Sequence, residues 1–139
     1  MPFVSVTRLR IRHWRFLPAF IWQAFRSSQQ AKSAPGNVSV SVLNDRDRAF
    51  WTRTVWTDER AMKNFMLAGA HRGAMPKLAH WCDEAALTHW IQEDTEAPTW
   101  DTAYAHLKSE GRRSKVHHPS AAHEAFEFPP PRITSGGGQ

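Results

Sequence analysis

The sequence predicts an α+β fold: a ferredoxin-like β-α-β-β-α-β unit in which two helices cover one face of an antiparallel sheet. Three observations lead to this prediction. Segments in which apolar and polar residues alternate, typical of strands, are separated by segments whose apolar residues recur every three or four positions, typical of helices. Short stretches rich in Pro, Gly or charge divide them. Their order along the chain is that of the split βαβ motif.

A strand and a helix form the first part of the motif. Residues 3–12 combine β-branched and aromatic residues with partial alternation, which predicts a strand. The period then changes to that of a helix, and one helical stripe carries Trp14, Leu17, Ile21 and Phe25. We expect this helix to end near Lys32, because Pro35 and Gly36 follow and turn the chain.

Two strands joined by a short polar connection come next. The second strand alternates serines with Val38, Val40 and Val42, which predicts one buried face. Residues 45–48 are polar and have hairpin length, and residues 50–56 alternate again as a third strand. Thr57 or Asp58 can cap a second helix, which is expected to break near Gly69 and Gly73 and to continue to about His80.

The last elements are a strand, a helix and a tail. Alternation from Leu87 to Ile91 favours a fourth strand over the second half of residues 81–92. Thr99 caps a final helix that Gly111 ends. We therefore assign residues 1–111 to one α+β domain with a C-terminal helix. Residues 112–139 are read as a basic, Pro- and Gly-rich tail, docked near residues 125–128.

Composition limits the class of protein. With 41% hydrophobic and 12% aromatic residues the chain of 139 residues should fold as one domain. Its longest apolar stretch, residues 16–25, is far shorter than the roughly 20 residues needed to cross a bilayer, so no membrane partner is expected. Cys82 is the only cysteine, which excludes an internal disulfide and a cysteine-ligated metal site. A reducing compartment, the cytoplasm, is the expected location.

The charge distribution leaves alternatives. The net charge is +5, and the basic residues that precede the first acid, Asp45, are Arg8, Arg10, Arg12, Arg15, Arg26 and Lys32. Such a segment fits a transit peptide, an anion-binding patch or a solvated strand edge. We favour the strand, because the hydrophobic pattern needs this segment in the core. Nucleic-acid binding through Arg8, Arg10 and Arg12 is not expected, since no recognised motif accompanies the charge.

The pattern also predicts a homodimer. The strands carry hydrophobic residues of both parities, so both faces of the sheet should be buried. Two helices cover only one face. A second copy packing its sheet against the other face would bury it.

Two runs of residues resemble a known superfamily. Residues 50–65, FWTRTVWTDERAMKNF, and residues 70–75, AHRGAM, are similar to the third strand and second helix of antibiotic biosynthesis monooxygenase-like proteins, in the branch of DUF3291 and spheroidene-monooxygenase-like proteins. Residues later in the chain resemble the C-terminal half of DUF3291 proteins: Trp90, Pro98, Thr99, Trp100, Ala103, Leu107, Gly111 and residues 125–128. Together the matches cover most of residues 37–128.

The resemblance implies a dimeric α+β barrel with a ligand pocket between sheet and helices in each protomer. Members of the superfamily include cofactor-free oxygenases of phenolic polyketides, haem-degrading enzymes and haem-linked carotenoid oxygenases. Phe65 and Met75 stand where the haem-degrading branch has a tryptophan and a haem-ligating histidine, so the resemblance does not imply haem degradation. The cofactor is accordingly none or haem.

A small set of residues is suited to ligand chemistry. His71 is the candidate catalytic residue, because an imidazole moves a proton or ligates haem iron, and Arg72 could hold a carboxylate. Alternatively, these side chains could interact only with backbone carbonyls at the end of a helix. The candidate ligand-binding residues, Arg72 included, are Arg53, Trp56, Phe65, Arg72, Met75 and Trp90. The aromatic residues suit either a pocket for a flat ligand or core packing.

Arg53 lies among apolar neighbours on its strand, so it must be paired or solvated. It should bind an acid across the dimer or an anionic group of a ligand.

No metal site is expected, and Cys82 is interpreted as a packed residue. These residues favour a monooxygenase-like cytoplasmic homodimer that binds an apolar aromatic or tetrapyrrole ligand. The alternative is a non-catalytic ligand-binding or structural homodimer on the same scaffold, and the sequence leaves open whether the protein is an enzyme.

Overall fold

A single antiparallel sheet organises the chain. The computed structural model describes residues 1–67 and 69–131, and for residues 69–72 and 74 it describes the backbone only. The strands are β1 (Phe3–Ile11), β2 (Asn37–Asn44), β3 (Ala49–Trp56), β4 (Cys82–Ile91) and β5 (Arg112–Arg113). They lie in the order β2-β3-β1-β4-β5, with every neighbouring pair antiparallel. The predicted α+β class and ferredoxin-like order are confirmed.

Two of the longer helices begin at residues that the sequence offers as caps. The helices are α1 (Leu17–Ser33), α2 (Glu59–Met66), α3 (Gly69–Trp81), α4 (Trp100–Glu110) and α5 (Ala121–Ala125), with a short 3-10 turn at Trp14–Phe16 before α1. Asp58 accepts a hydrogen bond from the backbone N–H of Ala61 at 2.9 Å, as an N-cap does. Thr99 caps α4 in the same way, and Gly111 follows its last turn.

Two expectations about the strands were wrong. The fourth strand spans Cys82–Ile91, whereas only the second half of residues 81–92 was expected to be a strand. Its first residues pair with the central strand β1 even though apolar alternation is absent there. In β2 two of the three valines expected on the buried face, Val38 and Val42, are exposed, whereas Val40 is half-buried against the cluster that contains Ala31. β2 is an edge strand, and Leu43 on its opposite face is buried.

The helices α1, α2 and α3 cover one face of the sheet, which we call the helical face. Two hydrophobic clusters form beneath them. Near the end of α2 the buried residues are Phe3, Ala31, Trp56, Met62 and Phe65. Near the start of α1 and the end of α3 they are Ile11, Phe20, Cys82, Ala85 and Val116.

The opposite face is covered by α4 and the chain that follows it. Its cluster is the largest of the three, with buried residues Val4, Val6, Leu43, Trp51, Val55, Ala86, Trp100, Ala103, Leu107 and Phe128. We call residues 100–128 the covering segment. Within it β5 pairs with β4, and Phe128 packs against the sheet.

The covering segment removes the reason for which a dimer was predicted. The face that was expected to need a second copy is buried by residues of the same chain. A contact between the sheets of two copies would require this segment to move or to be exchanged between them. The homodimer therefore stays a prediction, as does the boundary at residue 111; residues 132–139 of the predicted tail lie outside the described residues.

Candidate functional site

A cavity of about 280 Å³ lies where the end of α1 meets α2. Its lining residues are Gln30, Ser33, Ala34, Pro35, Ala61, Asn64 and Phe65. Two properties of the local sequence shape it. Gly36, with a φ of 86°, turns the chain after α1, and it lies so close to α2 that a Cβ there would be 2.5 Å from Cβ of Ala61. The small side chain of Ala61 permits this approach. We call this space the helix cavity.

An aromatic pair forms the back of the helix cavity. The rings of Phe65 and Trp56 have centroids 5.3 Å apart, and Trp56 is fully buried. The indole N–H of Trp56 donates to Oγ1 of Thr54 at 2.9 Å, which satisfies its one polar group. Phe65 therefore reaches the cavity while Trp56 fixes its position from behind. The structure brings these two of the predicted ligand-binding residues together.

The polar groups of the helix cavity are amides and a hydroxyl. The hydroxyl of Ser33 donates to the carbonyl oxygen of Gln29 at 3.0 Å, so its proton is already used. Asn64 is exposed on α2 and directs a neutral amide into the space. The described lining residues include no group that titrates near neutral pH. They can hold and orient an uncharged ligand, but a proton-transfer group must come from elsewhere.

The residues expected to supply that chemistry lie on α3. The backbone places His71 and Arg72 in the first turn of α3, directly after α2, but both side chains lie outside the described residues. Met75 lies further along the same helix with an exposed side chain. The positions of His71 and Arg72 relative to the cavity stay a prediction.

Arg53 lies on the other face of the sheet. Its Nη1 donates to the carbonyl oxygen of Pro98 at 2.5 Å and its Nη2 to Oγ of Ser41 at 2.9 Å. The guanidinium also lies 4.4 Å from the ring centroid of Trp100, and burial lowers the pKa of Arg53. These contacts are with neutral groups of its own chain. A pair with an acid across a dimer or with an anionic group of a ligand stays a prediction.

Trp90 also lies on the covered face, away from the helix cavity. Its ring is stacked on that of His106, with centroids 3.8 Å apart and an interplanar angle of 7°. The imidazole Nδ1 of His106 lies 2.6 Å from Oε1 of Glu110. One pocket between the sheet and α1–α3 therefore cannot contain Arg53 and Trp90 together with Trp56 and Phe65.

A second cavity, of about 290 Å³, lies within the covering segment and was missed by the sequence analysis. It is lined by Tyr104, Leu107, Lys108, Phe126, Glu127 and Phe128. The hydroxyl of Tyr104 donates to the carbonyl oxygen of Phe128 at 3.1 Å and joins α4 to the end of the segment. Phe126 and Phe128, two apolar residues in an otherwise polar tail, were the sequence signal that could have indicated this cavity.

Comparison with known proteins identifies the family. A family model described as a domain of unknown function, DUF3291, matches residues 13–132. The chain belongs to the DUF3291 family. No curated protein matches the sequence.

The DUF3291 chain is similar in fold to several solved structures. A mutant of SnoaB, a cofactor-independent oxygenase from Streptomyces nogalater, is 18% identical, with a TM-score of 0.57 over 68% of this chain and 95% of that one. Rv0793 from Mycobacterium tuberculosis is 10% identical, with a TM-score of 0.62 over 68% and 97%. An antibiotic biosynthesis monooxygenase is also 10% identical, with a TM-score of 0.59 over 66% and 99%.

These likenesses confirm the predicted fold. At such identities they show the fold and not the reaction. They cover about two thirds of this DUF3291 chain and almost the whole of each solved chain.

A buried charge network lies beneath the covering segment of this DUF3291 protein. Arg8 and Glu84 are both buried, and Nη1 of Arg8 donates to Oε1 of Glu84 at 2.6 Å. Ser120 donates to the other carboxylate oxygen of Glu84 at 2.9 Å. Nη1 of Arg10 lies 2.5 Å from Oδ2 of Asp83. The arginines of β1 are thus engaged within the chain, which removes the basis for a nucleic-acid site on this strand.

His123 joins the same network and makes stability depend on pH. Its Nδ1 accepts a hydrogen bond from the backbone N–H of Ala85 at 3.2 Å, which requires an unprotonated nitrogen. Burial, and secondarily the guanidinium of Arg113, lowers the pKa of His123 below the ordinary value of 6.5. Protonation is therefore easier in the unfolded chain than in the folded one.

We expect the free energy of unfolding to be fully retained above about pH 7 and to decrease as the pH falls below 6.5 and through the lowered pKa of His123. Urea unfolding followed by far-UV circular dichroism from about pH 7 to pH 5 measures this. His123→Asn should flatten the profile, and the exposed His118→Asn should not. Equal slopes in His123→Asn and the unchanged protein would contradict the assignment.

The other candidates for reactive chemistry are inert in the structure. Cys82 is buried, and burial raises the pKa of its thiol to about 12, so the thiolate is not available near neutral pH. Within residues 1–67 and 69–131, no three described histidine, cysteine or carboxylate side chains are grouped so that they could hold a metal ion. In the part of the chain that the structure describes, no helix is both long and apolar enough to cross a bilayer.

Proposed function

We propose that this DUF3291 protein is a monooxygenase-like protein that binds an apolar aromatic or tetrapyrrole ligand in the helix cavity, between the end of α1 and α2. The helix cavity carries the proposal: Phe65 forms an aromatic wall that Trp56 holds in place, and neutral amides line the rim. Pockets for flat apolar ligands combine such walls with a few polar groups. The fold shared with a cofactor-independent oxygenase supports the reaction class.

Without a cofactor, the ligand itself must reduce dioxygen. A polycyclic phenol with an acidic CH₂ group meets this need, since loss of a proton gives an electron-rich carbanion. Oxidation of the CH₂ group to a carbonyl removes two hydrogen atoms and adds one oxygen atom from O₂. The second oxygen atom leaves as water with those two hydrogens. His71 is the proposed base that removes the proton, because imidazole exchanges protons near neutral pH.

Haem does not fit the described part of this cavity. Iron in haem proteins takes an axial histidine, cysteine, methionine or tyrosine. None of the described residues that line the helix cavity is of these types. An axial ligand for haem would have to come from His71 on α3, the residue to which the proposal assigns removal of the proton. The proposal therefore places the reaction on the ligand and dioxygen.

The remaining predicted residues take lesser roles in the proposal. Phe65 contacts the ligand, and Trp56 is a positioning residue behind it. Arg72 and Met75 would act from α3, above the cavity. Arg53 and Trp90 serve packing of the covered face, because their contacts lie there.

One observation favours the alternative, a non-catalytic binding protein on the same scaffold. The described lining of the helix cavity holds no acid, base or nucleophile. If the side chain of His71 does not reach the ligand, the cavity can bind but not react. The experiment must therefore separate binding from oxygen consumption.

We expect the protein to bind dithranol, a tricyclic phenol with an acidic CH₂ group, and to consume one dioxygen for each molecule converted to its carbonyl product. Asn64→Trp fills the cavity and should weaken binding at least about tenfold, a change of about 1.4 kcal/mol. His71→Ala should retain binding and lose the oxygen uptake that exceeds the protein-free rate. Quenching of protein fluorescence measures binding, and an oxygen electrode with mass analysis of the product measures turnover.

Lys63→Trp is the matched control, because Lys63 is the preceding residue on α2, is exposed and does not line the cavity. It should bind and turn over dithranol like the unchanged protein. Binding without oxygen uptake would replace the oxygenase by the non-catalytic alternative. Equal binding by both tryptophan variants would contradict the helix cavity as the ligand site.

The proposal keeps the homodimer and the cytoplasmic location. The single cysteine supports a reducing compartment. Light scattering would return twice the chain mass of 15.9 kDa for the dimer. Such a dimer would form by exchange of the covering segment or through another surface.

A further inference from the structure

The outer face of the first helical segment exposes large apolar side chains. Trp14, Ile21, Trp22 and Phe25 are between 54% and 69% exposed. The core-facing side of the same helix carries Phe20 and Ala31, which are buried, so packing of the fold does not explain the exposed set. The rings of Trp22 and Phe25 are stacked at 6.2 Å. We call the four exposed side chains the aromatic stripe.

Every charged residue of the segment that carries the aromatic stripe is basic. The exposed charged residues of the segment 14–33 are Arg15, Arg26 and Lys32, and no acid precedes Asp45 in the sequence. The neighbouring helix α3 adds the exposed Lys77. The stripe is thus a hydrophobic surface within a cationic one.

We propose that this face of α1 docks on a membrane surface that contains anionic lipids. Tryptophan and phenylalanine partition into the interface between headgroups and acyl chains, and arginine and lysine beside them pair with lipid phosphates. The segment that carries the stripe lies along the surface of the fold, and α1, 17 residues long, would extend about 25 Å in the membrane plane. Lying on a bilayer requires no helix that spans it.

The charge argues against two other occupants. A second copy docked through the same face would bring Arg15 and Arg26 of both molecules together, with no acid on the segment to pair with them. A nucleic acid would pair with the arginines but would leave two tryptophans, an isoleucine and a phenylalanine without an apolar partner. An anionic lipid surface complements both features at once.

Sedimentation with vesicles tests the proposal. We expect the full chain to bind vesicles of phosphatidylcholine and phosphatidylglycerol in equal parts at least about tenfold more strongly than vesicles of phosphatidylcholine alone. The double variant Trp22→Ser/Phe25→Ser should lose at least about tenfold in binding. Arg15→Gln/Arg26→Gln should lose about 30-fold, at roughly one factor of five for each arginine.

The matched control is Val38→Ser/Val42→Ser, which removes exposed apolar side chains from β2 and leaves the aromatic stripe intact. It should bind vesicles like the unchanged chain, and circular dichroism of each variant checks that the fold is retained. Binding that ignores lipid charge, or that the control loses as strongly as the stripe variant, overturns the proposal. So does a dimer in light scattering that Trp22→Ser/Phe25→Ser converts to a monomer, since a second copy would then cover the stripe.

Discussion

Replacing Arg8 by methionine is expected to lower the free energy of unfolding by about 3–5 kcal/mol. The substitution keeps an unbranched apolar side chain under the ring of Phe128, where the guanidinium carbon of Arg8 lies 4.9 Å from the ring centroid. It removes the partner 2.6 Å from the carboxylate of Glu84, which stays buried. A buried charge without its partner costs far more than the pair contributes. Urea unfolding followed by circular dichroism measures the loss.

The double variant Arg8→Met/Glu84→Met separates charge from packing. Removing both charges should recover most of the stability, because apolar residues of similar size often replace a buried ion pair without loss. Arg10→Met is the comparison: Nη1 of Arg10 is partly exposed and lies 2.5 Å from Oδ2 of Asp83 but 3.9 Å from Oε2 of Glu84, so a smaller loss is expected. A loss below about 1 kcal/mol in Arg8→Met would show that the network is solvated rather than buried.

Trp51→Ala should cost about 3–5 kcal/mol, which places it beside Arg8→Met among the most damaging substitutions. Trp51 is fully buried in the cluster beneath α4, and its indole N–H donates to Oδ2 of Asp45 at 3.0 Å. The variant loses the packing of the ring against Tyr104 and leaves a cavity. Thermal and urea unfolding provide two independent measurements.

Trp51→Phe separates the loss of the hydrogen bond to Asp45 from the loss of the aromatic ring. It keeps a ring in place but removes the donor to the buried Asp45, so about 1–3 kcal/mol is expected. Trp22→Ala, at an exposed tryptophan, should change stability by no more than about 0.5 kcal/mol. If the changes at Trp51 and Trp22 were equal, the covered face would not be packed as described.

Local sequence patterns predicted the helices and strands but not the contacts between them. The caps at Asp58 and Thr99 and the order of strands and helices followed from residues close in sequence. The pairing of Arg8 with Glu84 joins residues 76 positions apart, so no periodicity reports it. The pattern of β2 identified an alternating strand but not which face a later helix would cover.

The spacing of two predicted site residues already separates them in the sequence. Arg53 and Trp56 lie an odd number of positions apart on one strand, so their side chains must point to opposite faces. A single pocket for both was therefore excluded before the structure was known. The helix cavity was not foreseeable in the same way, because it arises from the approach of α1 to α2 around Gly36, a tertiary contact.

The covering segment has a consequence for synthesis. The ribosome completes β1 to β4 before residues 100–128 exist, yet these residues bury the face of β1 that carries Val4 and Val6. Until these residues emerge, the nascent sheet exposes an apolar surface. Arg8 lies beside this surface, and its ion pair with Glu84 is not yet buried. Nascent domains in this state bind chaperones or aggregate. Translation pauses after β4 has emerged would lengthen that exposure.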